Sequence, residues 1–231
     1  MSKRGKAYLN AKEKIQEREY PLSEAVPLLK EIKTSKFDES VDVSVRLSVD
    51  PKYPEQMVRG TVVLPFGTGK VKRVLVIASG EKQKEASEAG ADFVGGDDIV
   101  EKIQKENWFD YDVVISTPDM MKSVGKLGKS LGTKGLMPSP KSGTVTFNVK
   151  ETVAEIKKGR VEFRVDKSGI INSTVAKTSF DSEKIIENSK AFLSAILKVR
   201  PATLKGKYVK SVYLSSTMSP SIKINIQELE S

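Results

Sequence analysis

Two hydrophobic periodicities divide the chain. Near the C-terminus Ile222, Ile224 and Ile226 alternate with Lys223 and Asn225, the period-two pattern of a half-buried strand. Strand-like runs also occur at 39–50 (ESVDVSVRLSVD), 57–65 (MVRGTVVLP), 160–176 (RVEFRVDKSGIINSTVA) and 208–217 (YVKSVYLSST). DKSG reads as a hairpin turn. Residues 22–33 (LSEAVPLLKEIK) and 181–200 (DSEKIIENSKAFLSAILKVR) carry apolar residues at helical spacing, which predicts two amphipathic helices over one face of the sheet.

The middle of the chain has another rhythm. Short β-rich runs VKRVLVIASG, ADFVGG and YDVVIST alternate with the helical patterns EKQKEASEAG, DDIVEKIQKEN and PDMMKSVGKLGKSLG, and NVKETVAEIKKG adds a last helix ending near Gly159. Such alternation predicts a parallel sheet with crossover helices. Neither flank has enough strands and helix to cover itself. The expected fold is therefore an α/β two-domain protein. Residues 1–66 and 160–231 form a discontinuous α+β domain, an antiparallel or mixed sheet with helices on one face, and residues 67–159 form an inserted alternating α/β domain. PFGTGK and KKGR are the paired crossings, close enough to permit hinge motion.

Composition narrows the chemistry. The chain has no Cys and no His, which excludes disulfides, thiol nucleophiles, imidazole acid–base chemistry and the commonest zinc and iron ligands. No catalytic residue, metal or cofactor is assigned. The start, MSKRGKAYLNAKEKIQ, lacks the apolar core of a secretory signal, and no run approaches the roughly 20 apolar residues of a membrane span. A cytoplasmic protein without a membrane partner is expected. Lys and Arg total 39 against 30 Asp and Glu, a net charge of +9, which favours a polyanionic partner. Within the middle domain, residues 120–159 hold 8 basic and 2 acidic groups.

That basic segment contains Gly128-Lys129-Ser130, which resembles the end of a phosphate loop. The loop needs Gly, four residues, then Gly-Lys-Ser directly after a strand. Here the first Gly position falls on Ser123, and a helical segment intervenes. GTGKV at 67–71 precedes its strand instead, and ASGEKQKEA has one Gly where a dinucleotide fingerprint needs three. Asp97 is expected to cap a helix with Asp98 favouring its positive end. Trp108 and Phe109 are expected in the core.

The flanking domain carries more informative polar clusters. In KTSKFDES, Phe37 either plugs the core or offers an apolar face beside Lys36 and Ser40 for ribose or base contact. In FRVDKSG, Arg164 and Lys167 suit phosphate and Asp166 suits a 2′-hydroxyl or base amine, although a solvated hairpin has the same composition. SSTMSPS sets hydroxyl residues and Met218 between two strands, a polar contact surface.

GTKGLMPSPKSGTV, KFDES, VRGTVVLP, EAGADFVGG, EFRVDKSG and SVYLSSTMSPSIKIN together resemble, in order and spacing, the bacterial large-subunit ribosomal protein L-one family. The resemblance covers nearly the whole chain. It implies a discontinuous RNA-binding domain with a Rossmann-like insertion. It also implies a non-enzymatic protein of the large ribosomal subunit, a monomer when free. This protein would bind a stem-loop region of 23S rRNA, form the mobile stalk near the tRNA exit site and contact exit-site tRNA as deacylated tRNA is released. It would also repress its own operon through its mRNA. By resemblance, Lys36, Phe37, Ser40, Arg164, Asp166, Lys167, Ser168, Ser211, Thr217, Met218 and Ser219 are RNA-binding positions, and Lys134 and Lys141 offer a secondary phosphate contact. The family usually has Gly where this chain has Ser219, Thr at Ser168, and Pro and Asn at Thr133 and Ser139. Competing readings are a nucleotide-binding Rossmann-type enzyme, a basic scaffold at anionic membranes and a DNA-binding regulator.

Overall fold

A computed structural model of the chain describes residues 5–202, 204 and 206–226. The chain opens with α1 (Lys6–Glu13), α2 (Leu22–Glu31), β1 (Ser40–Leu47) and β2 (Arg59–Val63). A βα-alternating stretch follows: β3 (Val74–Ile77), α3 (Glu81–Glu88), β4 (Phe93–Gly95), α4 (Asp97–Glu106), β5 (Val113–Ser116), α5 (Met121–Gly125), α6 (Gly128–Thr133) and α7 (Val149–Lys158). It ends with β6 (Arg160–Arg164), β7 (Ile170–Lys177), α8 (Ser182–Lys198), β8 (Val209–Ser216) and β9 (Ile222–Ile224). There are two compact units: the described residues within Met1–Gly69 and Val161–Ser231, and Lys70–Arg160. Both mix helices with sheet.

The first unit is built on an antiparallel sheet in the order β7-β1-β8-β9, with β2 and β6 as a separate ribbon. Alternation along β1 buries Val41, Val43, Val45 and Leu47, and a side-chain period of two sends Asp42, Ser44 and Arg46 to the other face. Val212, Leu214, Ile222 and Ile224 join the buried set, covered by Ala25, Val26 and Leu29 of α2 and Ile185, Phe192 and Ile196 of α8. The core therefore lies on one face only. The Phe163 and Phe192 rings meet edge-on at 5.7 Å. A Cβ at Gly60 would stand 2.8 Å from Phe163 Cζ, so only glycine lets β2 pass so close to the ring.

One polar side chain ties this core together. Asn188 on α8 is fully buried. Its amide donates to the carbonyls of Gly67 and Val175, both at 2.8 Å, and its oxygen accepts from Phe66 N–H at 3.1 Å. All three bonds bind α8 to other parts of the unit, which satisfies an otherwise costly buried amide.

The second unit has a parallel sheet in the order β4-β3-β5. All four residues of β3 are buried, as expected when helices cover both faces. Leu75 and Ile77 pack with Val100, Ile103, Val124 and Leu131 on one side. Val74 and Val76 pack with Ala86, Val149, Val153 and Ile156 on the other. Trp108 and Phe109 are partly buried against the first of these cores, and Trp108 meets Phe93 edge-on at 4.8 Å.

Two local expectations are corrected, and one helix is unanticipated. Asp97 does not cap α4: it is the first helical residue, Gly96 is the N-cap, and Asp98 Oδ1 instead accepts from Gly96 N–H at 2.7 Å. The single helix expected over 118–132 is broken into a 3-10 turn at Pro118–Met120 followed by α5 and α6. Between them Leu127 leaves the helical region at φ −88° and ψ 3°, beside Gly125 and Gly128, whose flexibility weakens a continuous helix. Helix α1, which buries only Ala11, is not among the expected elements.

Candidate nucleic-acid interface

The start of β1 and the end of β8 lie side by side, with Val41 opposite Ser216. Beyond that pair the strands stay tied: Ser40 N–H donates to Thr217 Oγ1 at 3.1 Å, and Thr217 N–H donates to Ser40 O at 3.2 Å. On the other side Lys177 Nζ donates to Ser40 Oγ at 3.0 Å. Asp38 accepts from Thr178 Oγ1, Ser179 N–H and Ser179 Oγ, each at 3.0 Å. KFDES and STMS, remote in sequence, thus make one edge of the unit. Lys36 and Thr217 are exposed there. Phe37 is 53% exposed and Met218 55% exposed, so Phe37 does not plug the core.

Beneath this edge sits Glu39, with no exposed surface. Its carboxylate accepts from Ser35 Oγ, from Ser216 Oγ and from Met218 N–H. Burial pushes this carboxyl up, but the hydroxyls of Ser216 and Ser35 and the backbone N–H groups of Met218 and Ser35 outweigh it, leaving Glu39 below its ordinary value. Asp38 likewise ends below its ordinary value: desolvation raises it, and Ser179, Thr178 and the Lys177 charge lower it by more. Both groups are therefore ionised acceptors near neutral pH.

The second cluster lies at the other end of the sheet. DKSG makes a tight turn but not the expected hairpin, because β6 pairs with β2 and β7 with β1. In this β6–β7 turn Asp166 Oδ1 accepts from Ser168 N–H at 2.8 Å and Ile170 N–H at 2.9 Å, a side-chain turn of the kind aspartate favours. Gly169 adopts φ +76°, and a Cβ there would stand 3.2 Å from Val49 O. Arg164, Lys167 and Ser168 are exposed. Ser211 belongs here as well, because Arg46 is opposite both Ser211 and Ile170. Asp166 Oδ1 is thus committed to the turn rather than offered outward.

The expected contact residues therefore fall into two groups rather than one. Ser40 and Arg46 lie six positions apart on β1, about 20 Å at the rise of an antiparallel strand. Between the groups the register sets Asp42 opposite Thr174 and Ser215, and Ser44 opposite Asn172 and Tyr213. Thr174 Oγ1 donates to Asp42 Oδ1 at 2.5 Å. This polar row joining the two ends was not expected to be part of the site. The alternation in DVSVR is the signal that places Asp42, Ser44 and Arg46 on one face.

Lys134 and Lys141 belong to the second unit. Lys134 Nζ lies 3.9 Å above the Phe109 ring centroid, a cation–π contact. Lys141 is exposed on the turn Pro140–Ser142. The surrounding loop folds on itself: Thr144 Oγ1 accepts from Ser139 N–H at 2.8 Å, and Ser142 Oγ donates to Ser139 O at 3.2 Å. Gly128-Lys129-Ser130 opens α6, which follows α5 rather than a strand, so the strand-to-loop geometry of a phosphate loop is missing.

The model of the Ribosomal protein L1p/L10e family matches residues 29–220, a span holding both clusters. The chain belongs to this family. It is 60% identical over 223 residues to the large ribosomal subunit protein uL1 of Solibacter usitatus (strain Ellin6076), covering 96% of this chain and 94% of that protein. With the large ribosomal subunit protein uL1 of Persephonella marina (strain DSM 14350 / EX-H1) the identity is 55% over 230 residues, 98% of this chain and 95% of the relative. The L1p/L10e family is one of ribosomal proteins and not of enzymes, which removes the nucleotide-enzyme alternative. In this L1p/L10e chain, Ser219 sits without backbone strain: among described non-glycine residues only Asn107 has positive φ. Ser219 Oγ accepts from Ser216 N–H at 2.9 Å and donates to Pro220 O at 3.1 Å, closing the turn that carries Thr217 and Met218.

Proposed function

We propose that the protein is a structural constituent of the large ribosomal subunit in the cytoplasm that binds a stem-loop region of 23S rRNA through the outer face of its four-stranded sheet. The observation that carries this reading is the meeting of Lys36, Phe37 and Ser40 with Thr217 and Met218 at one end of that face. The β6–β7 turn with Arg164, Lys167 and Ser168 stands with Ser211 at the other end. Exposed cations suit phosphates, exposed Phe37 and Met218 suit ribose or an unstacked base, and the hydroxyls suit 2′-hydroxyls. A span of about 20 Å matches several nucleotides of a folded RNA rather than a single base.

In this proposal residues 1–66 and 160–231 are the RNA-binding domain and 67–159 a Rossmann-like inserted domain. The parallel β4-β3-β5 sheet with helices on both faces supports the latter. Lys134 and Lys141 add phosphate contacts, the protein serves the mobile stalk that assists release of deacylated tRNA, and binding to its own operon mRNA represses translation. The test is competition binding at physiological salt among the 23S rRNA stem-loop region, its DNA analogue and an unrelated folded RNA. Clear preference for the rRNA is expected. Equal affinity for all three would remove the specific-RNA reading.

A further inference from the structure

We propose that Glu39 is a positioning residue for RNA binding: its buried carboxylate locks the Thr217–Ser219 turn onto the Lys36–Ser40 segment, so that both present a single preformed surface. The assignment rests on the RNA-binding reading above. Glu39 touches no solvent and so cannot itself meet RNA. Its donors come from two distant places in the chain: Ser35 on one side, Ser216 and Met218 on the other.

A buried carboxylate is expensive unless every acceptor site is used. Among the described residues no Lys or Arg forms an ion pair with Glu39. The charge is held by the hydroxyls of Ser35 and Ser216 and by the backbone N–H groups of Met218 and Ser35. Ionised carboxylate is an acceptor only, so both serine hydrogens must point inward to it, and Met218 N–H is held there too. The Met218 side chain is thereby sent outward on one side of the carboxylate, and Phe37 is exposed on the other. Thr217, between Ser216 and Met218, is fixed with its Oγ1 facing Ser40 N–H. Removing Glu39 deletes no outward-facing group but releases the turn that aims Thr217 and Met218.

The distinguishing comparison is Glu39→Leu against Glu39→Gln in the full chain, with a full-length 23S rRNA transcript and an unrelated RNA of equal length as probes. Leucine leaves Ser35, Ser216 and Met218 N–H without their acceptor. Glutamine can keep its oxygen toward Ser216 and Met218 and turn its amide to the Ser35 hydroxyl, which then accepts, so that only Ser35 N–H loses its acceptor. The expectation is a loss of rRNA affinity of about tenfold or more for Glu39→Leu, recovery to within about threefold of wild type for Glu39→Gln, and a smaller effect of Thr217→Val in the Glu39→Leu background than in wild type. A folded Glu39→Leu that binds within twofold of wild type overturns the assignment, as does equal loss in both variants. Should Glu39→Leu fail to fold, hydrogen exchange of the Met218 amide in the free wild-type protein decides: strong protection supports a preformed turn, and exchange at the unstructured rate overturns it. Wild-type protein that does not prefer 23S rRNA over the unrelated RNA overturns the RNA-binding reading itself, and the Glu39 assignment with it.

Discussion

Replacing Thr217 with Val keeps the β-branched shape and removes one hydroxyl. In the free protein that hydroxyl accepts from Ser40 N–H at 3.1 Å, while the neighbouring backbone bond from Thr217 N–H to Ser40 O at 3.2 Å is untouched. One neutral hydrogen bond at an exposed edge is worth about 0.5–1.5 kcal/mol, which sets the stability loss expected in urea denaturation. A hydroxyl that accepts from Ser40 still carries its own hydrogen, free to donate to an RNA oxygen. If it does, the variant leaves that oxygen unpaired at a cost of about 1–3 kcal/mol, a rise in Kd of roughly 5- to 150-fold. Urea titration and rRNA competition on the same preparations separate the two effects, and Thr217→Ser, which keeps both functions, is the control. Two results would refute the reasoning. Thr217→Val binding as tightly as wild type removes the RNA partner, and Thr217→Ser binding as weakly as Thr217→Val shows that shape rather than the hydroxyl matters.

Asn188→Ala deletes three buried hydrogen bonds at once and is expected to cost about 3 kcal/mol or more, read as a lower urea midpoint; a shift under 1 kcal/mol would mean water replaces the amide. Gly169→Ala forces a side chain into φ +76° and against Val49 O, for an expected cost of about 1–3 kcal/mol, and should weaken rRNA binding by displacing Lys167 and Ser168. Acid should destabilise the protein in a defined direction. Glu39 and Asp38 have lowered values in the folded state, and Asp112 is lowered by the Arg73 N–H with help from the Lys70 and Arg73 charges. Their stabilisation is therefore complete above the unfolded carboxylate values near about 4 and is lost as pH falls through the lower folded values. A melting temperature flat from pH 6 down to pH 2 would contradict this.

Much of the first unit is legible in its alternation. The runs around β1, β8 and β9 specify which residues face inward, because a one-residue slip would turn Val41, Val43 and Val45 out to solvent. The strand order is not legible, since β1 finds its neighbours more than a hundred residues away. In the second unit the alternating rhythm carries β3, β4 and β5 and the helices α3, α4 and α7. It fails where the balance is close: α5 and α6 divide at a Gly-flanked leucine, and the short α1, whose apolar residues Ala7, Tyr8, Leu9 and Ala11 do not fall at sustained helical spacing, gives no clear periodic signal. Phe37 defeats the rule that a lone aromatic plugs the core, since burial depends on what lies opposite it.

Glu39 shows where reading from sequence stops. In ESVDVSVRLSVD it is the residue before an alternating strand, and a glutamate in that position is ordinarily solvated. Its burial depends on Ser216, 177 residues away, and on Met218 N–H, a backbone group that composition cannot reveal. Most of the residues read as RNA contacts, Asp166 and Ser219 excepted, leave their side chains facing outward, which sequence pattern favours because polar groups cluster there. The residue that aims them faces inward and leaves no such mark. The proposed site, two strand ends about 20 Å from the β6–β7 turn, needs both kinds: exposed groups to touch RNA, and buried ones to keep the distance between them constant. Glu39, by its burial and its donors from both strand ends, is the described residue best placed for the second task.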